Sequence, residues 1–247
     1  MNLRIGRSRK DKDTFGGYHF QPLPRTQEWG EHRQRDGGAI VEDEIMKLVR
    51  RVFICTDIEK TPAIVAFCGV DEGAGCSWVC ARAAEVLAEQ VPGNVCLLDA
   101  NLRSPSLHSR FRVENGPGFS DAIRGSEPIR EFAQRIGKVN LRLITAGATG
   151  KEPNGALNPA RLRTRFSELR SEFEFVLVDT PATSTYADAM LLSQLTDGVV
   201  LVVGSNSTRR ESARAAKRSF ETAKVPLFGA VLNKRTYPIP EALYWKL

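Results

Sequence analysis

The sequence predicts a three-layer α/β domain, a mostly parallel sheet with helices on both faces. Three observations predict it. Apolar runs of strand length recur without the polar alternation of a half-exposed sheet, as in GVVLVVG at 198–204; strands buried on both faces read this way. Segments with helical spacing separate these runs, the order that gives a parallel sheet. A glycine-rich stretch, VDEGAGCSW at 70–78, joins the first run to a helix. Parallel sheets receive ligands in such places, beyond the carboxyl ends of their strands.

The elements follow in order. Residues 1–40 carry little hydrophobic periodicity, begin with the basic MNLRIGRSRKDKD, and read as a flexible tail. VEDEIMKLVRRVFI at 41–54 spaces Ile45, Leu48, Val52 and Phe53 as one helical face, and with a linker it fills 41–60. The main domain, 61–236, opens with the strand AIVAFCG (63–69) and the helix 75–90. NVCLLDA (94–100) is the next strand, followed by short helices at 105–111 and 119–125. LRLITAG (141–147) is a third strand, and a charged helix covers 158–172. FEFVLVDT (173–180), a helix at 187–195, the strand 198–204, an amphipathic helix at 208–224 and the strand PLFGAVLNK (226–234) complete it. Residues 237–247 read as a C-terminal tail.

Composition narrows the function classes. A hydrophobic fraction of 42% in 247 residues supports a sizeable core. The net charge of +6 is a mild basic excess, suited to a phosphate ligand or an acidic surface. No basic stripe with interleaved aromatics marks a nucleic-acid interface, so no nucleic-acid partner is expected. No apolar run nears the roughly 18 residues of a spanning helix, so no membrane insertion is expected. Five cysteines, an odd number, and the lack of a signal peptide fit a reducing cytosol. Cys55, Cys68, Cys80 and Cys96 lie in apolar contexts and read as small core residues. The three histidines, at 19, 32 and 108, are scattered and form no catalytic set.

The loop 70–78 carries the chemistry. Gly73 and Gly75 let backbone N–H groups converge on an anion, and the helix start adds its dipole. Ser77 is a candidate Mg²⁺ ligand. The phosphate-loop pattern G-x-x-x-x-G-K-[ST] fails at two positions: Val70 stands at the first glycine and Cys76 at the lysine. At a helix start a thiol is open to a lowered pKa, and Cys76 and Cys80 lie one turn apart. Two further strands end in carboxylates, Asp99 in LLDANLRSPSLH and Asp179 in LVDTPA. Two carboxylates beside a glycine-rich helix start supply the hard oxygens that a Mg²⁺–nucleotide site needs. Asn233, at the end of the last strand, offers a donor and an acceptor to a nucleobase edge.

The order of motifs over 41–235 resembles the cytoplasmic domain of bacterial tyrosine kinases of the CpsD/CapB family of exopolysaccharide biosynthesis, a branch of the MinD/ParA-like P-loop ATPases. LLDANLRSPSLHSRF is similar to that family's second Walker motif, GPGFSDAIRG to its Gly-Leu-Ser-Asp segment, ITAG with EPN to its Pro-Ala-Gly and Pro-Asn stretch, VLVDTPATSTYADAMLL to its Walker B strand, and GAVLNK to its adenine-side strand end. The resemblance implies ATP or ADP with Mg²⁺ as cofactors. It implies that Asp71, Glu72, Gly73, Ala74, Gly75, Cys76 and Ser77, with Trp78 behind them, cradle the β and γ phosphates. Ser77, Asp99 and Asp179 would serve the metal, Asp99 and Asp179 the chemistry, and Asn233 the adenine, with Asn101 and Arg103 beside them. It also implies docking on the cytoplasmic end of a Wzz-like membrane polysaccharide copolymerase, at the inner face of the cytoplasmic membrane. Ring assembly would use the helix 41–54, where Glu44, Lys47 and Arg50 stand at the family's Glu-x-x-Arg-x-x-Arg spacing.

Four departures from the family pattern matter. Cys76 replaces the loop lysine, Asn101 replaces the second Asp of the Asp-x-Asp run, Lys47 replaces an arginine, and Tyr237 and Tyr244 stand apart instead of clustering. A hydrogen bond to a charged group is worth roughly 1.5–3 kcal/mol, so losing the lysine weakens nucleotide binding by about one to two orders of magnitude. Phosphoryl transfer suffers more, since its transition state must be neutralised. Arg103, Lys151, Arg209 and Arg210 are candidate replacement cations. The expectation is a nucleotide-binding protein with weak or lost phosphotransfer. The alternatives are an active autophosphorylating kinase and a MinD/ParA-type positioning ATPase.

Overall fold

A computed structural model describes residues 2–6, 37–54, 61–137, 140–147 and 157–235. Eight strands form one sheet: β1 (Asn2–Gly6), β2 (Ile64–Gly69), β3 (Val95–Asp99), β4 (Ala133–Ile136), β5 (Leu141–Ile144), β6 (Phe175–Thr180), β7 (Gly198–Gly204) and β8 (Leu227–Arg235). Their order across the sheet is β1-β8-β7-β2-β6-β3-β5-β4. All internal pairings are parallel; the two edge strands, β1 on β8 and β4 on β5, run antiparallel.

The helices are α1 (Gly37–Val49), α2 (Cys76–Gln90), α3 (Leu107–Phe111), α4 (Phe119–Arg124), α5 (Pro159–Glu172), α6 (Asp188–Ser193) and α7 (Arg210–Thr222). A wider π turn, Arg50–Ile54, extends α1, and a 3₁₀ turn spans Ile129–Phe132. Along β2 the side chains alternate between two cores. Val65 and Phe67 pack with α1 and α2, whereas Ile64, Ala66 and Cys68 pack with the α4, α5 and α7 side. Both faces are thus apolar, which is why the strand sequences show no polar alternation. Cys68, Cys80 and Cys96 are fully buried, as their contexts predict.

Several expectations change. Residues 2–6, placed in a flexible tail, extend the sheet beyond β8. Residue 1 and residues 7–36 lie outside the described residues, as do Cys55, Lys151, Tyr237, Tyr244 and the tail 237–247. The strand β4 was not anticipated, because its AQRI sequence lies at an edge and none of its side chains is fully buried. The apolar stripe of α1 is used within the chain: Ile45, Leu48, Val49, Val52 and Phe53 are buried, and Phe53 meets Phe175 edge-on at 5.8 Å. Of the proposed assembly run, Lys47 pairs with Glu44 at 2.7 Å on the same helix, and Arg50 is exposed.

Candidate functional site

Topology brings the site together. The strand β6 lies between β2 and β3, so the loop after β2 and the ends of β6 and β3 stand side by side at the carboxyl edge of the sheet. In the β3–β6 register Asp99 is opposite Asp179. The two carboxylates are distant in sequence yet neighbours in the sheet.

The loop 70–76 turns through two left-handed glycines, Gly73 at φ 73° and Gly75 at φ 84°. Gly75 also leads directly into α2. A Cβ there would collide with the Asn233 side chain, so this glycine answers both a dihedral and a close approach. The loop is fastened on two sides. Thr183 and Ser184 donate their backbone N–H groups to the Gly69 and Val70 carbonyls, at 2.9 and 3.0 Å. Asn233 donates from Nδ2 to the Ala74 carbonyl at 2.9 Å. Asp71 and Cys76 are partly exposed, Glu72 and Gly73 exposed, and Ala74 is buried beneath the turn.

The two carboxylates differ. Asp99 is fully buried but satisfied: Oδ1 accepts from the Asn101 N–H at 3.3 Å, and Oδ2 from the Ser106 and Leu107 N–H groups at 3.3 and 3.2 Å. It thereby folds the turn that leads into α3. Burial pushes its pKa up to about 6, although those three N–H groups pull it down. Asp179 is equally buried, and neither of its oxygens has a hydrogen-bond partner. Burial first, and then the charge of Asp99, raise its pKa well above the ordinary carboxylate range. The side chains of Ser77 and Cys76 face it outside hydrogen-bonding geometry and offset only part of that rise.

Buried carboxylates without partners are costly, and native proteins rarely keep one unless something binds there. The donor set of Asp179, Ser77 and Asp99 is hard oxygen, the chemistry that suits Mg²⁺. Among the described residues no three acidic, thiol or imidazole side chains converge as a metal cluster. A cation at Asp179 would therefore take most of its ligands from phosphate and water, as Mg²⁺ commonly does.

Other expected residues sit differently. Cys76 is not an activated thiol. Burial, and then the charge of Asp179, raise its pKa well above its usual value, which outweighs the helix start. Cys80 is raised for the same two reasons. Arg103 turns to α6, where Nε donates to Asp188 at 2.9 Å and its guanidinium lies 4.6 Å from the centre of the Tyr186 ring. Asn101 accepts from the Ser104 N–H at 3.2 Å and shapes its own turn. The Trp78 ring lies 5.7 Å from the Arg110 guanidinium, on the α3 side of α2. Asn233, expected at the adenine edge, is fully buried. One end of its amide holds Ala74, and Oδ1 accepts from the Lys234 N–H at 2.9 Å. Arg209 and Arg210 are exposed at the start of α7.

One participant went unnoticed in the sequence. Lys234 follows Asn233, and its ammonium donates to the Gly73 carbonyl at 2.7 Å. Its place at the carboxyl end of a strand beside the loop was the available signal.

No family model matches the chain. Among individual proteins it is similar to the tyrosine-protein kinase YwqD of Bacillus subtilis (strain 168), 30% identical over 212 residues that cover 83% of this chain and 88% of that protein. It is 28% identical to CapB of Staphylococcus aureus over 138 residues, 56% of this chain and 60% of CapB. It is 26% identical to the tyrosine-protein kinase Etk of Escherichia coli K12 over 190 residues, which are 77% of this chain but only 26% of Etk. The chain thus spans most of YwqD and about a quarter of Etk. Solved structures agree on the fold. The chimerical protein CapA2B2 matches with a TM-score of 0.73 at 22% identity, over 83% of this chain and 89% of that one. The kinase domain of E. coli ETK gives 0.73 at 22%, over 87% and 91%. The septum site-determining protein MinD of Pyrococcus horikoshii, solved with Mg-ADP, gives 0.61 at 18%, over 74% and 76%. The fold is therefore that of the MinD/ParA-like P-loop NTPases, as the sequence predicts.

Proposed function

Because the chain belongs to the bacterial tyrosine kinases of the CapB, Etk and YwqD type, we propose that it binds Mg²⁺ with ATP or ADP at the loop 71–77 and transfers phosphate weakly or not at all. The observation that carries this reading is Asp179: a fully buried carboxylate with no hydrogen-bond partner, beside the Cys76 and Ser77 side chains at the start of a helix that opens from two left-handed glycines. The loop supplies N–H groups and the α2 dipole to the phosphates, Ser77 and Asp179 face the metal position, and Asp99 holds the neighbouring turn. Bound Mg²⁺ would neutralise phosphate charge. The cysteine at 76 is a neutral thiol and adds none.

In the cell we assign the protein to exopolysaccharide synthesis, at the inner face of the cytoplasmic membrane, where it docks on a membrane polysaccharide copolymerase and regulates it through nucleotide state. No helix among the described residues is long and apolar enough to cross a membrane, so membrane recruitment would run through that partner. Assembly into a homo-oligomer through α1 would have to use its polar face, because the apolar one is engaged.

Calorimetry with Mg²⁺–ATP and Mg²⁺–ADP tests the site. Binding between micromolar and millimolar is expected, and Cys76→Lys should tighten it by about one to two orders of magnitude. No binding at millimolar nucleotide refutes the phosphate cradle. Kinship with named tyrosine kinases favours one further reading, an active autophosphorylating enzyme. Phosphotyrosine that forms with ATP and disappears in Asp99→Ala would establish it.

A further inference from the structure

The loop lacks its lysine at position 76, yet a lysine stands on it. Lys234 adopts a left-handed backbone, φ 58°, that a branched or bulky side chain rarely takes. From this position its side chain reaches back over the loop. Its Cε lies 3.7 Å from where a Cβ on Gly75 would be, and its ammonium ends 2.7 Å from the Gly73 carbonyl. The aliphatic stem thus passes Gly75 and the charge lies at Gly73. An ammonium has three donors, and the Gly73 carbonyl takes one of them. Lys234 is exposed, which leaves the remaining donors open to solvent or to a ligand. The other described candidates fit less well. Arg103 is engaged by Asp188 and Tyr186, and Arg209 and Arg210 begin a helix beyond the β7 turn.

We propose that Lys234 supplies, from the end of the last strand, the positive charge that position 76 lacks, with its ammonium serving the polyphosphate of a nucleotide held in the loop. This rests on the nucleotide reading above. A charge that enters from outside the loop explains how the cradle could keep affinity with a thiol at 76. It also makes Asn233 and Lys234 complementary, since one fixes the loop backbone and the other covers it with charge.

The test is a double-mutant cycle read by calorimetry with Mg²⁺–ADP and Mg²⁺–ATP on the full chain. Lys234→Gln should weaken binding about tenfold, and Lys234→Arg should keep it within about threefold. In the Cys76→Lys background, Lys234→Gln should cost less than about threefold, because the loop then carries its own cation. An equal loss in both backgrounds overturns the charge role, since that is what a mere fastening of Gly73 predicts. Wild-type binding unchanged by Lys234→Gln overturns the proposal alone. No wild-type binding at millimolar nucleotide overturns the proposal and the nucleotide reading together.

Discussion

The two strand-end aspartates look alike in the sequence and differ in kind once folded. Asp99 receives three N–H groups and organises a turn; Asp179 receives none. Conservative amides should therefore move stability in opposite directions. Asp99→Asn places an amide before backbone donors and should cost about 1–3 kcal/mol in urea unfolding. Asp179→Asn removes a buried carboxyl whose ionisation burial opposes, and should raise the melting temperature by about 2–4 °C per kcal/mol gained, while abolishing Mg²⁺-dependent nucleotide binding. A fall in melting temperature for Asp179→Asn would mean that this carboxylate has a structural partner after all. The pH dependence follows from the same burial. A carboxyl with a raised folded pKa holds its proton more tightly in the folded chain, so its contribution is fully present below about 3.8 and lost as pH rises to about 6 for Asp99. With a chelator present, stability should fall between about pH 4 and 6 by up to about 1.4 kcal/mol per pH unit for Asp99, Asp179 should act in the same direction, and the double amide variant should flatten the slope. Asp197 works in a different window. Partial burial raises its pKa, but the Arg170 hydrogen bonds, the Ile64 N–H, the Arg170 charge and the Ala63 N–H outweigh burial and lower it, so its contribution is lost only as pH falls below 3.8. The strand-end positions of Asp99 and Asp179 were legible in the sequence, and the sheet sets them opposite each other. Their division of labour was not legible, because it depends on which N–H groups the next turn presents.

At the scale of elements, the short helices were legible but their anchoring was not. The segment 115–125 docks on the end of β5 through Asn115, which both donates to and accepts from Gly147, and through Phe119 and Ser120 N–H bonds to the Thr145 and Ala146 carbonyls. Gly118 is needed because a Cβ would strike the Thr145 carbonyl and the Gly147 backbone. A buried arginine on α5 then ties this segment down from behind. Arg165 donates to the carbonyls of Ala122, Gly125 and Glu127 at 2.7–2.9 Å and to Glu168 at 2.8 Å, while Glu168 accepts from the Ile129 N–H. In the sequence Arg165 is one charge among several on a polar helix, and nothing there tells it from a solvated neighbour. Its removal leaves three carbonyls and a carboxylate without their donor. Arg165→Met should cost about 3–5 kcal/mol by urea unfolding and leave Mg²⁺–ADP affinity within about threefold. A loss below about 1 kcal/mol would mean that water replaces the guanidinium and that the α4 anchor is not built on it.

Across the whole molecule, the parallel core was readable because its strands are apolar on both faces, whereas the sheet's edges were not. An edge strand needs only backbone partners on one side, so β1 and β4 carry little apolar signal. Yet β1 borders the strand that holds the loop. It pairs with β8 from Gly6 opposite Ala230 to Asn2 opposite Arg235, and Asn233 and Lys234 lie within that span. Without β1 the outer N–H and C=O groups of β8 would face solvent, and the last residues of the strand would hold Ala74 and Gly73 less firmly. Deletion of residues 1–6 should therefore do more than bare an edge. Amide exchange should rise along 227–235 and also across 70–77, and Mg²⁺–ADP should bind more weakly by about three- to tenfold, with α5 and its surroundings unchanged. Faster exchange confined to β8, with the loop and the affinity as before, would show that Asn233 keeps its grip without the edge strand and that the site ends at β8.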